Sequence, residues 1–166
     1  MTAVIGITGW KNSGKTTLTE RLVAVFVARG LRVATVKHAH HDFDIDQPGT
    51  DSFRHRAAGA AETAIISGRR WAIMHELHDE SEPNLADILT KLSPSDLVVV
   101  EGFKKEQHPK IECRRLAARD RTPLGLPGIV AIASDHAVSD DLPRFMLDDV
   151  EAIADFVTGY LGIQPR

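Results

Sequence analysis

Gly9-Trp10-Lys11-Asn12-Ser13-Gly14-Lys15-Thr16-Thr17 is the stretch that decides the fold. Its first eight residues fill the phosphate-loop pattern: a glycine, four variable positions, then Gly-Lys-Thr. An apolar run from Ala3 to Thr8 precedes it and reads as a buried strand. Behind it Leu18, Leu22, Val25 and Phe26 recur at helical spacing, and Gly30 stands where the helix should be capped. Strand, glycine turn and helix in that order give the pattern its mechanism. The glycines let backbone N–H groups turn inward on phosphate oxygens, and the helix N-terminus adds partial positive charge. Gly9, Asn12, Ser13 and Gly14 are thus expected to line a phosphate cradle. Lys15 should reach the β- and γ-phosphates, the Thr16 hydroxyl should bind Mg²⁺, and Thr17 suits the α-phosphate. Lys11 has two readings: a phosphate contact, in its own or a neighbouring subunit, or a solvated loop lysine.

Outward from the loop the chain alternates strand and helix. Leu31 to Lys37 is β-branched and predicts a second strand. Asp51 or Ser52 is placed to cap a short helix running to Ala58. Glu62 to Ser67 and Arg70 to Glu76, around Gly68-Arg69, predict a β-hairpin. Asn84 is placed to cap a helix striped by Leu85, Ile88, Leu89 and Leu92. Leu97 to Val100 is the most apolar run and predicts a central parallel strand. Lys110 to Arg115 and Ile129 to Ala133 are further strands, and Asp149 heads a last helix with Val150, Ile153, Val157 and Leu161 facing inward. The expected architecture is a three-layer α/β P-loop fold with a mostly parallel sheet and an added hairpin, in one domain over residues 1–166.

Composition narrows the function. With 43% hydrophobic and 26% charged residues the chain is an ordinary globular sequence. A net charge of −3 argues against a general nucleic-acid binder. The single cysteine, Cys113, excludes an intramolecular disulfide and fits a reducing compartment. No apolar run approaches the roughly 20 residues of a membrane span, and no basic region opens the chain as a signal peptide would. The expectation is a cytoplasmic protein.

Two further segments carry candidate chemistry. Val98-Val99-Val100-Glu101-Gly102 is an apolar strand ending in a carboxylate and a glycine, the arrangement that delivers an acid beside a phosphate loop to hold Mg²⁺. Asp96 lies at the wrong end of that strand. Lys37-His38-Ala39-His40-His41-Asp42-Phe43-Asp44-Ile45-Asp46 packs three histidines and three aspartates into ten residues before Pro48-Gly49-Thr50-Asp51-Ser52. Three readings stay open. The stretch is a switch loop whose Asp46 or Asp51 approaches Mg²⁺ or the attacking water, a transition-metal site on His38, His40 and His41, or a polar surface loop.

The phosphate loop, the Lys37 to Ser52 stretch, Arg54-His55-Arg56-Ala57-Ala58-Gly59-Ala60 and Val100-Glu101-Gly102-Phe103-Lys104 together resemble the MobB family of molybdopterin-guanine dinucleotide biosynthesis adaptor proteins. The resemblance spans about residues 3 to 135. It implies a GTP-binding homodimer with weak GTPase activity. It implies a helper of the guanylyltransferase that attaches GMP to molybdenum-bound molybdopterin, with molybdopterin itself a further candidate ligand. It carries Gly9, Gly14, Lys15, Thr16 and Thr17 over as phosphate-loop residues and Glu101 as the metal-side acid. It marks His38, His40, His41, Asp46 and Asp51 as functional-loop positions; Lys15, Asp46 and Glu101 are the catalytic candidates.

Trp10 stands where related dimerising NTPases carry a signature lysine, and Lys11 follows it. No Asn-Lys-x-Asp guanine signature is present. The nearest equivalent is Ala133-Ser134-Asp135, with Asp135 as the acceptor for guanine. The alternative function is a small-molecule kinase, with Arg114, Arg115, Arg119 and Arg121 as a phosphate-clamping lid.

Overall fold

The structure is a computed structural model describing residues 2–39 and 43–164. Contacts divide the chain into two compact units. One comprises the residues up to His38 together with those from Leu89 onwards, and the other is Ala39–Ile88.

The first unit is built on a six-stranded sheet. β1 (Ala3–Gly9), β2 (Val33–Lys37), β5 (Leu97–Glu101), β6 (Lys110–Arg114), β7 (Ile129–Ser134) and β8 (Arg144–Met146) lie in the order β2-β5-β1-β6-β7-β8. Every pairing in it is parallel. The strands β3 (Glu62–Ile66) and β4 (Trp71–His75) of the second unit form the expected antiparallel hairpin.

One face of the large sheet carries the core. Ile5, Ile7, Leu97, Val99, Ile111 and Cys113 meet Leu18, Leu22 and Phe26 of α1 (Lys15–Ala28) and Ile153, Ala154 and Val157 of α4 (Val150–Leu161). Burying each large apolar side chain there contributes about 1.5–3 kcal/mol. α1 ends as its sequence directs. Gly30 adopts φ 83, with Gly30 N–H donating to Val27 O and Leu31 N–H to Phe26 O, the paired bonds of a glycine-terminated helix. Asp149 caps α4 by accepting from Ala152 N.

On the opposite face β6 is polar yet buried. Lys-Ile-Glu-Cys-Arg of β6 alternates as a half-solvated strand would, but all five residues are buried. Lys110 Nζ donates to the carbonyls of Glu106, His108 and Pro127. Glu112 accepts from Arg114 at 2.9 Å and from Leu124 N at 3.0 Å. Arg114 also reaches Asp140 at 2.5 Å. Buried charge persists there because it is paired and hydrogen-bonded. Gly6 has no side chain because a Cβ would stand 2.6 Å from His108 Nε2 and 2.9 Å from Lys110 Cγ.

Two expectations need correction. The N-cap of α2 (Asp51–Ala57) is Thr50, whose hydroxyl accepts from Phe53 N, rather than Asp51 or Ser52. β8 was not foreseen: it is three residues long and only Phe145 turns inward. The helix after Asn84 is α3 (Leu85–Lys91), opened by a reciprocal pair in which Asn84 Oδ1 accepts from Asp87 N and Asp87 Oδ2 from Asn84 N.

Candidate functional site

The site grows from the C-terminal ends of β1, β2 and β5. Register pairs Ile7 with Glu101 and Lys37 with Glu101, so the strand order brings the phosphate loop, Glu101 and the end of β2 together. The loop backbone is turned for its task. Gly9 has φ 151, where a Cβ would stand 2.3 Å from Ser13 Oγ and 2.6 Å from Cys113 O. Asn12 adopts φ 62 and Gly14 φ 89, left-handed conformations that these two residue types tolerate best. Gly14 opens α1 without a side-chain cap among the described residues, and the first turn carries no acidic side chain. The amides of this helix end are therefore left for an outside acceptor of negative charge. Ser13 Oγ is buried, with no hydrogen-bond partner among the described residues.

Lys15 Nζ donates to Trp10 O at 2.7 Å, and Ser13 N–H donates to the same carbonyl at 3.2 Å. Burial pushes the Lys15 ammonium below its ordinary pKa. Attraction to Glu101 opposes that fall, while repulsion from Lys104 and Lys37 deepens it. A cation held among other cations in a half-buried place is matched to a highly charged anion. Thr16 Oγ1 lies 3.2 Å from Glu101 Oε1 and 3.3 Å from Oε2. Two oxygens in adjacent positions of an octahedral Mg²⁺ held at about 2.0–2.1 Å stand about 2.9 Å apart. The hydroxyl and carboxylate thus need only a small adjustment to share one ion. Lys37 Nζ sits 3.7 Å from Glu101 Oε1. A cavity of about 310 Å³ opens here, lined by Thr16, Thr35, Lys37 and Glu101 among others. Among the described residues no group of three or more His, Cys, Asp or Glu converges as a metal cage.

Past Glu101 the chain turns sharply. Gly102 has φ 102, and a Cβ there would stand 2.7 Å from His38 Cβ. Phe103 has φ 46, a conformation costing about 1–3 kcal/mol for a residue of this type. Its ring packs on His38 with centroids 4.7 Å apart, and His38 N–H donates to Glu101 O at 2.8 Å. The turn delivers Lys104 over the Trp10 ring, Nζ 5.2 Å from its centroid. Trp10 Nε1–H in turn donates to Thr122 O at 2.7 Å. Sequence reasoning did not foresee the meeting of Lys104 with Trp10, although both residues lie in the quoted motifs.

The other candidates fall as follows. Lys11 and Thr17 are exposed beside the loop. Asp135 follows β7, where Oδ1 accepts from Leu116 N at 2.9 Å and meets His136 Nδ1 at 2.8 Å, and Oδ2 faces Arg115 Nε at 3.8 Å. Burial raises its pKa, but the bonds from His136 and Leu116 and the charges of His136 and Arg115 outweigh it and hold the carboxyl below its ordinary value. Arg115 Cδ and Leu147 Cδ2 close over Gly14, within 3.0 and 3.1 Å of where a Cβ would stand. Asp135 therefore shares one end of the site with the start of α1.

Asp46 and Asp51 belong to the second unit. Asp46 Oδ1 accepts from Ser52 Oγ at 2.8 Å and Thr50 Oγ1 at 3.0 Å, and Oδ2 faces Arg56 Nε at 3.6 Å. Asp51 is exposed, 3.8 Å from Arg54. His40 and His41 lie outside the described residues. Of the four arginines considered for a lid, Arg114 is buried in its pairs with Glu112 and Asp140 and is not available to clamp phosphate. The Cys113 thiol, pushed up to about 12 by burial, is no nucleophile at neutral pH.

A parallel sheet whose first strand feeds a glycine loop and an uncapped helix, with an acid at the neighbouring strand end, defines the P-loop α/β class. The sequence model of MobB, molybdopterin guanine dinucleotide synthesis protein B, matches residues 4–135, and the chain belongs to that family. It is similar to the molybdopterin-guanine dinucleotide biosynthesis adapter protein of Escherichia coli K12, 40% identical over 169 residues covering 99% of this chain and 96% of that protein. The Haemophilus influenzae adapter protein is 36% identical over 95% of this chain and 89% of its own length. Among solved structures, a molybdopterin-guanine biosynthesis protein B superposes with a TM-score of 0.76 at 31% identity, over 96% of this chain and 99% of that one. A MobB homolog from Bacillus stearothermophilus superposes with a TM-score of 0.73 at 28% identity, over 97% and 99%.

Proposed function

We propose that this chain is a GTP-binding, weakly hydrolysing homodimer that assists the guanylyltransferase of molybdenum cofactor synthesis. The coarser part of this reading, an adapter role in molybdopterin guanine dinucleotide biosynthesis, follows from family membership. The observation that carries the finer part is the convergence of Lys15, Thr16 and Glu101 at an uncapped helix start. Lys15 would leave the Trp10 carbonyl for the triphosphate, and the loop amides would hold the phosphate oxygens. Thr16 and Glu101 would hold Mg²⁺, which when bound neutralises charge developing on the phosphates. Asp46, in the second unit, has Oδ1 engaged by Thr50 and Ser52 and Oδ2 facing Arg56 at 3.6 Å.

The dimer reading has its own support. The hairpin exposes Ile65, Ile66, Trp71 and Ile73, and a two-stranded sheet standing alone is marginal in water. Among the described residues no helix is long and apolar enough to cross a membrane. Calorimetric titration with GTP and ATP, with and without Mg²⁺, tests the nucleotide reading. Tighter GTP binding that needs Mg²⁺ and is abolished in folded Lys15→Ala is expected, and no heat from folded wild-type protein overturns it. A kinase would instead hand the γ-phosphate to an acceptor other than water, and the burial of Arg114 removes one arginine from the proposed lid.

A further inference from the structure

We infer that Lys104 is a second phosphate-sensing cation, parked on the Trp10 indole and delivered to the terminal phosphate when a nucleoside triphosphate fills the loop. This rests on the nucleotide reading above. Lys104 follows Glu101 by three residues, so it emerges on the metal side of the site, where the end of a triphosphate lies. Its position is built rather than incidental. Gly102 and Phe103 take consecutive positive φ values, and the Phe103 ring packs on His38. The ammonium reaches 5.2 Å from the Trp10 ring centroid.

Trp10 is tied on three sides: its carbonyl accepts from Lys15, its indole N–H donates to Thr122 O, and its ring faces Lys104. One residue of the phosphate loop thus holds two lysines, one on its carbonyl and one on its ring. Lys104 also depresses the pKa of Lys15, behind burial and against the pull of Glu101, so the two positive charges lie close enough to repel. A cation–π contact between these two half-buried side chains is weaker than a charge-assisted ammonium–phosphate contact, so the triphosphate wins the lysine. A diphosphate, lacking the terminal group, leaves Lys104 on the ring. Lys104 is then the group that separates the two nucleotide states, and Trp10 is its positioning residue.

The test titrates folded wild-type protein, Lys104→Met, Lys104→Arg and Lys15→Ala with a non-hydrolysable GTP analogue and with GDP. Lys104→Met should lose roughly tenfold to a hundredfold in triphosphate affinity, the worth of one charge-assisted contact, with GDP affinity unchanged. Lys104→Arg should retain most of the preference. The chain has two tryptophans, so Trp71→Phe leaves Trp10 as its one indole. Its emission should change with the triphosphate and not with GDP, and Lys104→Met should abolish that difference. An unchanged triphosphate-to-diphosphate ratio in Lys104→Met, with Lys15→Ala unable to bind, overturns the role of Lys104 alone. Binding by Lys15→Ala at wild-type strength overturns the underlying phosphate site, and this proposal with it.

Discussion

Thr16 Oγ1 rests 3.2 Å from Glu101 Oε1, a hydroxyl of the phosphate-loop helix on a carboxylate carried by the neighbouring strand. The pair is the part of the site proposed to hold Mg²⁺, and it sets the first prediction. Glu101→Gln keeps the shape and the hydrogen bond from Thr16 but removes the charge that would attract Mg²⁺. Triphosphate affinity measured with Mg²⁺ should fall by about tenfold or more, while affinity measured in EDTA should hold or rise as a negative charge leaves the site. An equal loss in both conditions would mean that Glu101 supports the loop rather than the ion.

His108 predicts how stability responds to acid. Both ring nitrogens are buried without a hydrogen-bond partner among the described residues, and the ring lies against Gly6 and Lys110. Burial first, and then the charge of Lys110, push its pKa down to about 4 from an ordinary 6.5. The unfolded chain therefore takes up a proton near pH 6.5 while the folded one stays neutral until about pH 4. Stability is full above 6.5 and is lost as pH falls through that window, by up to about 3 kcal/mol. His108→Phe removes the proton site and keeps an aromatic ring of similar volume. Urea midpoints measured from pH 7.5 to 4.5 should slope less in the variant; parallel slopes would assign the acid loss to other groups.

The proposal that Asp135 accepts from guanine makes a prediction that one substitution can reverse. Oδ1 is engaged by Leu116 N–H and His136, so Oδ2, facing Arg115 at 3.8 Å, is the oxygen left for a guanine donor. Asp135→Asn keeps the acceptor for Leu116 and offers an amide in place of Oδ2. A donor there should repel the guanine N–H groups and donate to the 2-carbonyl oxygen of xanthine. GTP affinity should fall by about tenfold or more and XTP affinity should rise. If the GTP-to-XTP ratio is unmoved, Asp135 serves only to tie the turn after β7.

The hairpin predicts assembly. Ile66 is 78% exposed and Trp71 66%, and the two are register partners at the turn end of β3 and β4. Apolar side chains paired in the open are covered in a working protein. Light scattering should give about twice 18.2 kDa for wild-type protein, and Ile66→Asp together with Trp71→Asp should return it to the single mass. Dimers that survive the double substitution would place the interface elsewhere.

Much of the fold is legible in the sequence, for physical reasons that differ by element. Leu97 to Val100 is buried on both faces, as parallel strands are, and so reads as an unbroken apolar run. The phosphate loop was legible because glycines at Gly9 and Gly14 answer a backbone demand that no other residue meets as cheaply. β6 misleads in detail because its alternation suggests a wet face, whereas Lys110, Glu112 and Arg114 are buried by pairing with carbonyls and with one another. β8 was invisible because three residues carry no period. The cap of α2 moved to Thr50 because three adjacent residues could each serve. The seat of Lys104 on Trp10 depends on the turn at Gly102 and Phe103, and a left-handed phenylalanine leaves no mark in a sequence.

The loop between β2 and α2 carries the last prediction. Arg56 is the hub of the second unit, reaching Asp44 at 2.8 Å, Glu76 at 2.9 Å and Asp46 at 3.6 Å. Asp46 is further tied to Thr50 and Ser52, so the stretch from Asp46 to Ser52 is held by its own bonds. A switch that senses a terminal phosphate must therefore act mainly ahead of Asp46. Hydrogen exchange should show residues 38–45 protected with a non-hydrolysable GTP analogue and exposed with GDP, while 46–52 stay equally protected in both. Arg56→Ala should release 43–52 in either state, since it removes the hub without touching the phosphate loop. The competing metal reading, whose ligands His40 and His41 lie outside the described residues, requires zinc that survives dialysis and is lost when both histidines are replaced. Equal exchange across 38–45 in the two nucleotide states, with the site shown to be filled, would end the switch reading and leave the loop as a fixed surface for a partner.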